Sequence, residues 1–221
     1  CEVACPSGVR IADIIQAARI KYSGEAPKLR DMILASTDIM GGLATKVAPV
    51  ANFALGLKPT KVVMDAVLKV DKHRTFPKYA SRTFESWYKK NVKAFQDTFK
   101  RHVSFFHGCY VNYNYPQLGK DLISVMNALG YGVHLLENEK CCGTALISNR
   151  MIDQAKKNAV NNVESIRKSV YERQMPVIGT SSSCNFTIRD EYPHLLGIDN
   201  ADVRDYIELA TRFIYRLIEE E

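Results

Sequence analysis

Six cysteines carry the residue chemistry that stands out in this chain, and their spacing is uneven. Cys141 and Cys142 are adjacent and are followed by Gly143, Cys109 lies upstream with 31 residues between, and Cys184 closes Ser181-Ser182-Ser183-Cys184. Cys1 and Cys5 open the chain as Cys1-x-x-x-Cys5-Pro6. Neighbouring cysteines make a strained disulfide, so a stability staple is a poor reading of the pair. Two adjacent thiolates do not easily face one ion in tetrahedral geometry. They suit a larger object with two or more iron atoms, each taking a different sulfur, and Gly143 lets the backbone turn beside it. Two other readings stay open: buried free thiols acting as small hydrophobes, and a thiol pair doing redox exchange through one lowered pKa.

Cys1 and Cys5 match the last part of the run C-x2-C-x2-C-x3-C-P, in which short loops bring several thiolates to one point and proline turns the chain away. His107, two residues before Cys109, could ligate, carry protons or serve as a hydrogen-bonded loop histidine. Ser181 to Ser183 can end a strand and cap the next helix. The sequence has no G-x-S-x-G elbow, no G-x-G-x-x-G and no P-loop, which leaves a nucleophilic serine, a dinucleotide or a nucleotide without support.

The elements that must position these cysteines alternate from residue 102 onward. Strands are expected at Val103 to Phe106, Val133 to Leu136 and Pro176 to Gly179. Between and after them come an amphipathic helix over 116–130 with Leu118, Leu122, Val125, Met126 and Leu129 inward, a helix from Asp153 to Tyr171, and a last helix from Ala201 to Glu220 with Ile207, Ala210, Phe213, Ile214 and Leu217 as its apolar face. Strands separated by helices imply an α/β fold, a parallel sheet with flanking helices. In such sheets the groups just past the strand C-termini collect at one edge. Cys109, Cys141, Cys142 and Cys184 all stand there, so they are expected to meet.

Upstream, Ser7 can cap a helix whose Val9, Ile11, Ile14, Ile15 and Ala18 have helical spacing and which ends near Gly24. From Met32 to Leu57 only Asp38 and Lys46 are formally charged, and Gly41-Gly42, Pro49 and Gly56 break the stretch into pieces too short to cross a bilayer. It reads either as a pair of short helices packed on the domain or a partner, or as an interfacial membrane contact flanked by Lys28, Lys46, Lys58 and Lys61. Residues 61–101 are basic and aromatic, with Trp87, Tyr88, Phe95 and Phe99 at helical spacing, which points to a core-facing lead-in helix with a solvated lysine face. The expected organisation is therefore 1–24, the end of a ferredoxin-type domain; 25–101, a helical connector; and 102–221, the cysteine-bearing α/β domain.

Lys and Arg number 30 against 24 Asp and Glu, a net charge of +6, with no run of five or six basic residues, so no nucleic-acid partner is indicated. Hydrophobic residues at 46% and charged ones at 24% place the chain among globular proteins. No export signal is visible, no stretch is long and apolar enough to span a bilayer, and clustered cysteines fit a reducing, cytoplasmic compartment. The start at Cys1 rather than Met suggests a piece of a longer protein.

On these residues the chain resembles the cysteine-rich CCG domain family, whose pattern is a cysteine, about three dozen residues, Cys-Cys-Gly, and later C-x-x-C. Ser181 stands where the first cysteine of that last element belongs. The strings CEVACP, FFHGCYVNYNYPQLGKDL, EKCCG and RDYIELATRF resemble, within that family, the C-type subunits of bacterial anaerobic glycerol-3-phosphate dehydrogenases. The resemblance implies an iron–sulfur electron-transfer subunit that takes electrons from a flavoprotein dehydrogenase subunit oxidising sn-glycerol 3-phosphate. It passes them to membrane quinone and, with a further complex subunit, helps hold the complex peripherally on the cytoplasmic face of the inner membrane. It also implies that Cys1 and Cys5 ligate 4Fe-4S clusters left incomplete in this chain, their partner cysteines lying upstream. Cys109, Cys141, Cys142 and Cys184 then make a further iron–sulfur centre. The alternatives are a redox protein of the heterodisulfide reductase or lactate-utilisation type, and a zinc-binding structural domain.

Overall fold

The computed structural model describes residues 6–22 and 27–219; Cys1, Cys5 and Gly24 fall outside them. Four strands, β1 Arg101–Phe106, β2 Tyr131–Leu135, β3 Val177–Gly179 and β4 Ile207–Leu209, form one parallel sheet in the order β2-β1-β3-β4. The α/β expectation holds. Phe105 lies opposite both Leu135 and Ile178, which fixes β1 at the centre. The chain leaves β1 toward one side and returns to β3 on the other. The boundary between β1 and β3 is thus the point where the winding reverses and a crevice opens beyond the strand ends.

Helices precede and flank the sheet. The first seven are α1 Ile11–Tyr22, α2 Leu29–Ala35, α3 Thr37–Lys46, α4 Ala48–Gly56, α5 Lys58–Leu68, α6 Phe84–Asn91 and α7 Lys93–Gln96. Then come α8 Gly108–Tyr113 and α9 Pro116–Ala128 between β1 and β2, and α10 Thr144–Ser148 and α11 Ile152–Arg167 between β2 and β3. A π-helical turn, Lys168–Glu172, extends α11. α12 Ser182–Phe186 continues as a π-helix, Thr187–Leu196, and α13 Ala210–Glu219 follows β4.

Both faces of the sheet are covered, so its strands are apolar throughout rather than alternating. On one face Val103, Phe105, Val133 and Ile178 pack with Leu122, Ile123 and Met126 of α9. On the other, Phe106, Val177 and Ile207 pack with Ala155, Ala159, Val163 and Ile166 of α11, spaced for a single helical stripe. Phe84 and Tyr88 of α6 complete the first core, and the Tyr88 hydroxyl donates to the Val133 carbonyl at 2.8 Å.

Several local expectations are corrected. The last helix begins at Ala210, not Ala201; Ile207 lies opposite Val177 as part of β4, where a fourth strand completes the sheet. On α9 Ile123 faces inward and Val125 is exposed. α6 ends at Asn91, so Phe95 and Phe99 leave the core and pair edge to face at 5.2 Å. α1 begins at Ile11, placing Ser7 four residues ahead of it rather than at its cap.

The stretch from Met32 to Leu57 falls in three short helices, α2 to α4, rather than two. Pro49 sits in the first turn of α4, where its missing N–H costs nothing, but Gly41-Gly42 does not break α3. Gly41 is there for contact: a Cβ at this position would lie 2.4 Å from the ring of Tyr113. The connector is also tied down by Asn52, whose amide bonds the Tyr79 carbonyl and N–H, each at 2.8 Å.

Candidate metal centre

The four described cysteines converge past the ends of β1, β2 and β3, as their positions after the strands require. Cys109 enters on the first turn of α8 and Cys184 on the first turn of α12, one on each side of the β1/β3 crevice. Gly108, at φ +70°, brings the two turns together; a Cβ there would stand 3.5 Å from the Cys184 sulfur. The Cys141 and Cys109 sulfurs are 3.9 Å apart. The Cys142 sulfur neighbours those of Cys141 and Cys184, so the sulfurs run in the order Cys109, Cys141, Cys142, Cys184. Cys141 and Cys142 are buried and all four are free thiols.

Cys141 is held far below the usual thiol range, first through its hydrogen bond with Cys109, and Cys184 is lowered chiefly by Cys142. Cys109 and Cys142 are pushed up, first by their hydrogen bonds with Cys141, with burial adding to the effect. The thiolate, the form that binds metal, is thus favoured at Cys141 and Cys184.

The loops that carry the row are clamped by polar groups. The Glu139 side chain is almost covered and accepts the Gly108 N–H at 2.7 Å and the His107 N–H at 3.2 Å, with His107 Nδ1 also 3.2 Å away. Burial pushes its carboxyl up to about 7, against the pull of His107 and the two N–H donors. This clamp ties the end of β1 to the β2 loop, and with it Cys109 to Cys141. His107 is thus a buried, hydrogen-bonded loop histidine. From α11, Asn162 accepts the Lys140 N–H at 2.9 Å, and Asn158 donates to the Cys141 carbonyl at 3.1 Å. Asp38 of the connector accepts the Cys141 N–H at 2.8 Å. Ser181 caps α12 by accepting the Cys184 N–H at 3.3 Å, and its hydroxyl also favours the Cys184 thiolate.

The donor chemistry fits an iron–sulfur group. Two thiolates on one metal, at bonds of about 2.3 Å, stand roughly 3.8 Å apart, close to the 3.9 Å between Cys109 and Cys141. Among the described residues no three His, Cys, Asp or Glu groups surround a single ion position. A row of sulfurs suits several irons better than one ion.

The match to known proteins follows the same residues. The model of the cysteine-rich CCG domain covers residues 103–189. These residues are a CCG domain. Over 97% of its length the chain is 56% identical to the C-type subunit of the anaerobic glycerol-3-phosphate dehydrogenase of Escherichia coli. It spans only 54% of that relative, about half its length. An uncharacterized iron–sulfur protein of Methanocaldococcus jannaschii is 30% identical over 51% of this chain and 22% of its own. Lactate utilization protein A of Bacillus subtilis is 32% identical over 44% of this chain and 38% of its own. No solved structure matches. These likenesses support an iron–sulfur cofactor.

Sequence reasoning found the four cysteines but not their supports. Asn158 and Asn162 had a signal: they lie one turn apart on the apolar stripe of α11, where a polar side chain must have a partner. Glu139 had only its nearness to the Cys-Cys pair. Asp38 was visible as the single acid of a long apolar stretch, yet nothing local tied it to a cysteine 103 positions on.

Proposed function

We propose that this chain is part of an iron–sulfur electron-transfer subunit working with a flavin-dependent dehydrogenase that oxidises sn-glycerol 3-phosphate. The observation that carries the reading is the row of four thiols at the sheet edge, in a chain 56% identical to a dehydrogenase subunit of that kind. Bound there, an iron–sulfur group takes up and releases single electrons. The chain's own residues hold it: Cys109 and Cys184 from the two sides of the crevice, Cys141 and Cys142 from the β2 loop. Cys1 and Cys5 serve 4Fe-4S clusters completed by cysteines from the rest of the protein, Cys5 ligating the other cluster of the pair. The organisation is then a ferredoxin-type end over 1–24, a connector over 25–101 whose α6 packs into the sheet core, and the CCG domain over 102–221.

Each turnover yields two electrons and two protons from glycerol 3-phosphate, and membrane quinone takes up the same number. The connector is the surface that meets the membrane. No helix among the described residues is long and apolar enough to cross one, but Leu43, Val50 and Phe53 are exposed beside Lys46, Lys58 and Lys61, a pattern suited to anionic lipid. The test uses the full-length subunit with its flavoprotein partner on vesicles carrying quinone. Adding glycerol 3-phosphate reduces the iron–sulfur paramagnetic centres and then the quinone. Flavin reduction with the centres left oxidised contradicts the proposal.

A further inference from the structure

α3 closes the cysteine row from outside the CCG domain. Its second residue, Asp38, bonds the Cys141 N–H, and Ala35 just before it packs in the same core cluster as Cys141 and Cys142. Gly41, one turn further, is pressed on Tyr113, so the helix cannot slide away from the site without losing that seat. Between these anchors stands Thr37. Its hydroxyl oxygen is buried, and no hydrogen bond of good geometry satisfies it. What it faces is sulfur: its side chain lies against those of both Cys109 and Cys141. A buried hydroxyl left unpaired is costly, so a threonine here, where valine has the same shape, calls for an acceptor in the site.

We propose that Thr37 donates its hydroxyl hydrogen to the Cys109 and Cys141 sulfurs of the iron–sulfur centre, and that Asp38 is the positioning residue that fixes the Cys141 backbone. α3 thereby sets the reduction potential of the centre. Reduction adds negative charge to the cluster and its sulfurs, and a hydrogen bond to sulfur stabilises that charge, so Thr37 raises the potential. The inference rests on the reading that these thiolates hold an iron–sulfur group.

The experiment uses the full-length subunit prepared anaerobically and follows the paramagnetic signal that Cys141→Ser removes. In a redox titration Thr37→Val makes reduction of that signal up to about tenfold less favourable, a downward shift of up to about 59 mV for a one-electron couple. Signals insensitive to Cys141→Ser stay in place, and Thr37→Ser returns the midpoint toward wild type. Asp38→Asn, which keeps an acceptor oxygen, retains the signal, whereas Asp38→Leu loses iron at this centre. An unmoved midpoint in Thr37→Val overturns the inference, as does a Thr37→Ser midpoint displaced as far as that of Thr37→Val. If Thr37→Val loses the centre altogether, Thr37→Ser decides: iron retained supports the hydroxyl, iron lost overturns it. Absence of any Cys141-dependent iron in the wild-type protein overturns the iron–sulfur reading itself, and this inference with it.

Discussion

In the sheet domain Phe105, Ile178 and Met126 are completely buried, whereas in the connector Leu43, Val50 and Phe53 are 58%, 69% and 71% exposed. The connector turns small or polar side chains inward instead: Ala35, Gly41, Thr45 and Ala48 face the domain. Small residues let α3 lie close enough for Asp38 to reach Cys141, while the large apolar groups are left for something else to cover. The same residue types thus have opposite duties. In one region they hold the fold together, and in the other they lie exposed on the connector.

That contrast gives the sharpest predictions. Phe105→Ala opens a cavity between β1 and α9 and costs about 3–5 kcal/mol, read as a large fall in the urea midpoint. A loss below about 1 kcal/mol breaks the picture of a closely packed core. Tyr88 carries a smaller effect, tied to pH. Burial first, and then Asp97, push its hydroxyl up to about 12. Between pH 10 and 12 the unfolded chain gives up this proton while the folded one keeps it. Stability therefore falls as pH rises through that window, by up to about 3 kcal/mol. Tyr88→Phe removes one proton's share of the alkaline slope; an unchanged slope contradicts the assignment. Least in stability, though not in function, is the pair Leu43→Glu and Phe53→Glu. Thermal stability should move by no more than about 0.5 kcal/mol, while the full complex leaves anionic vesicles or sheds the flavoprotein. A large loss of stability would mean that these side chains pack within the fold itself.

How much the sequence revealed follows the same division. The cysteine edge was legible because each cysteine stands just past an apolar run long enough to be a strand, and parallel topology sends those ends to one side. β4 was not, because three residues running straight into α13 place Ile207 in register with the apolar face of the helix. The connector's inward face was not legible either, since it is built from alanine, glycine and threonine, which carry no periodic hydrophobic signal. One tie to the site is the hydrogen bond that Asp38 accepts from the Cys141 N–H, across 103 positions. Long-range polar contacts of this kind leave no local pattern, and only the isolation of that acid in an apolar stretch marked it.

The central claim is that the four thiols at the sheet edge hold an iron–sulfur group in the electron path. Iron and acid-labile sulfide measured in the anaerobically prepared full-length subunit, against its Cys109→Ser, Cys141→Ser, Cys142→Ser, Cys184→Ser quadruple variant, test it most directly. The account predicts that the variant stays folded and keeps its ferredoxin-type iron, but loses the iron and sulfide of one centre together with one paramagnetic signal. Equal iron and sulfide in the two proteins would contradict it.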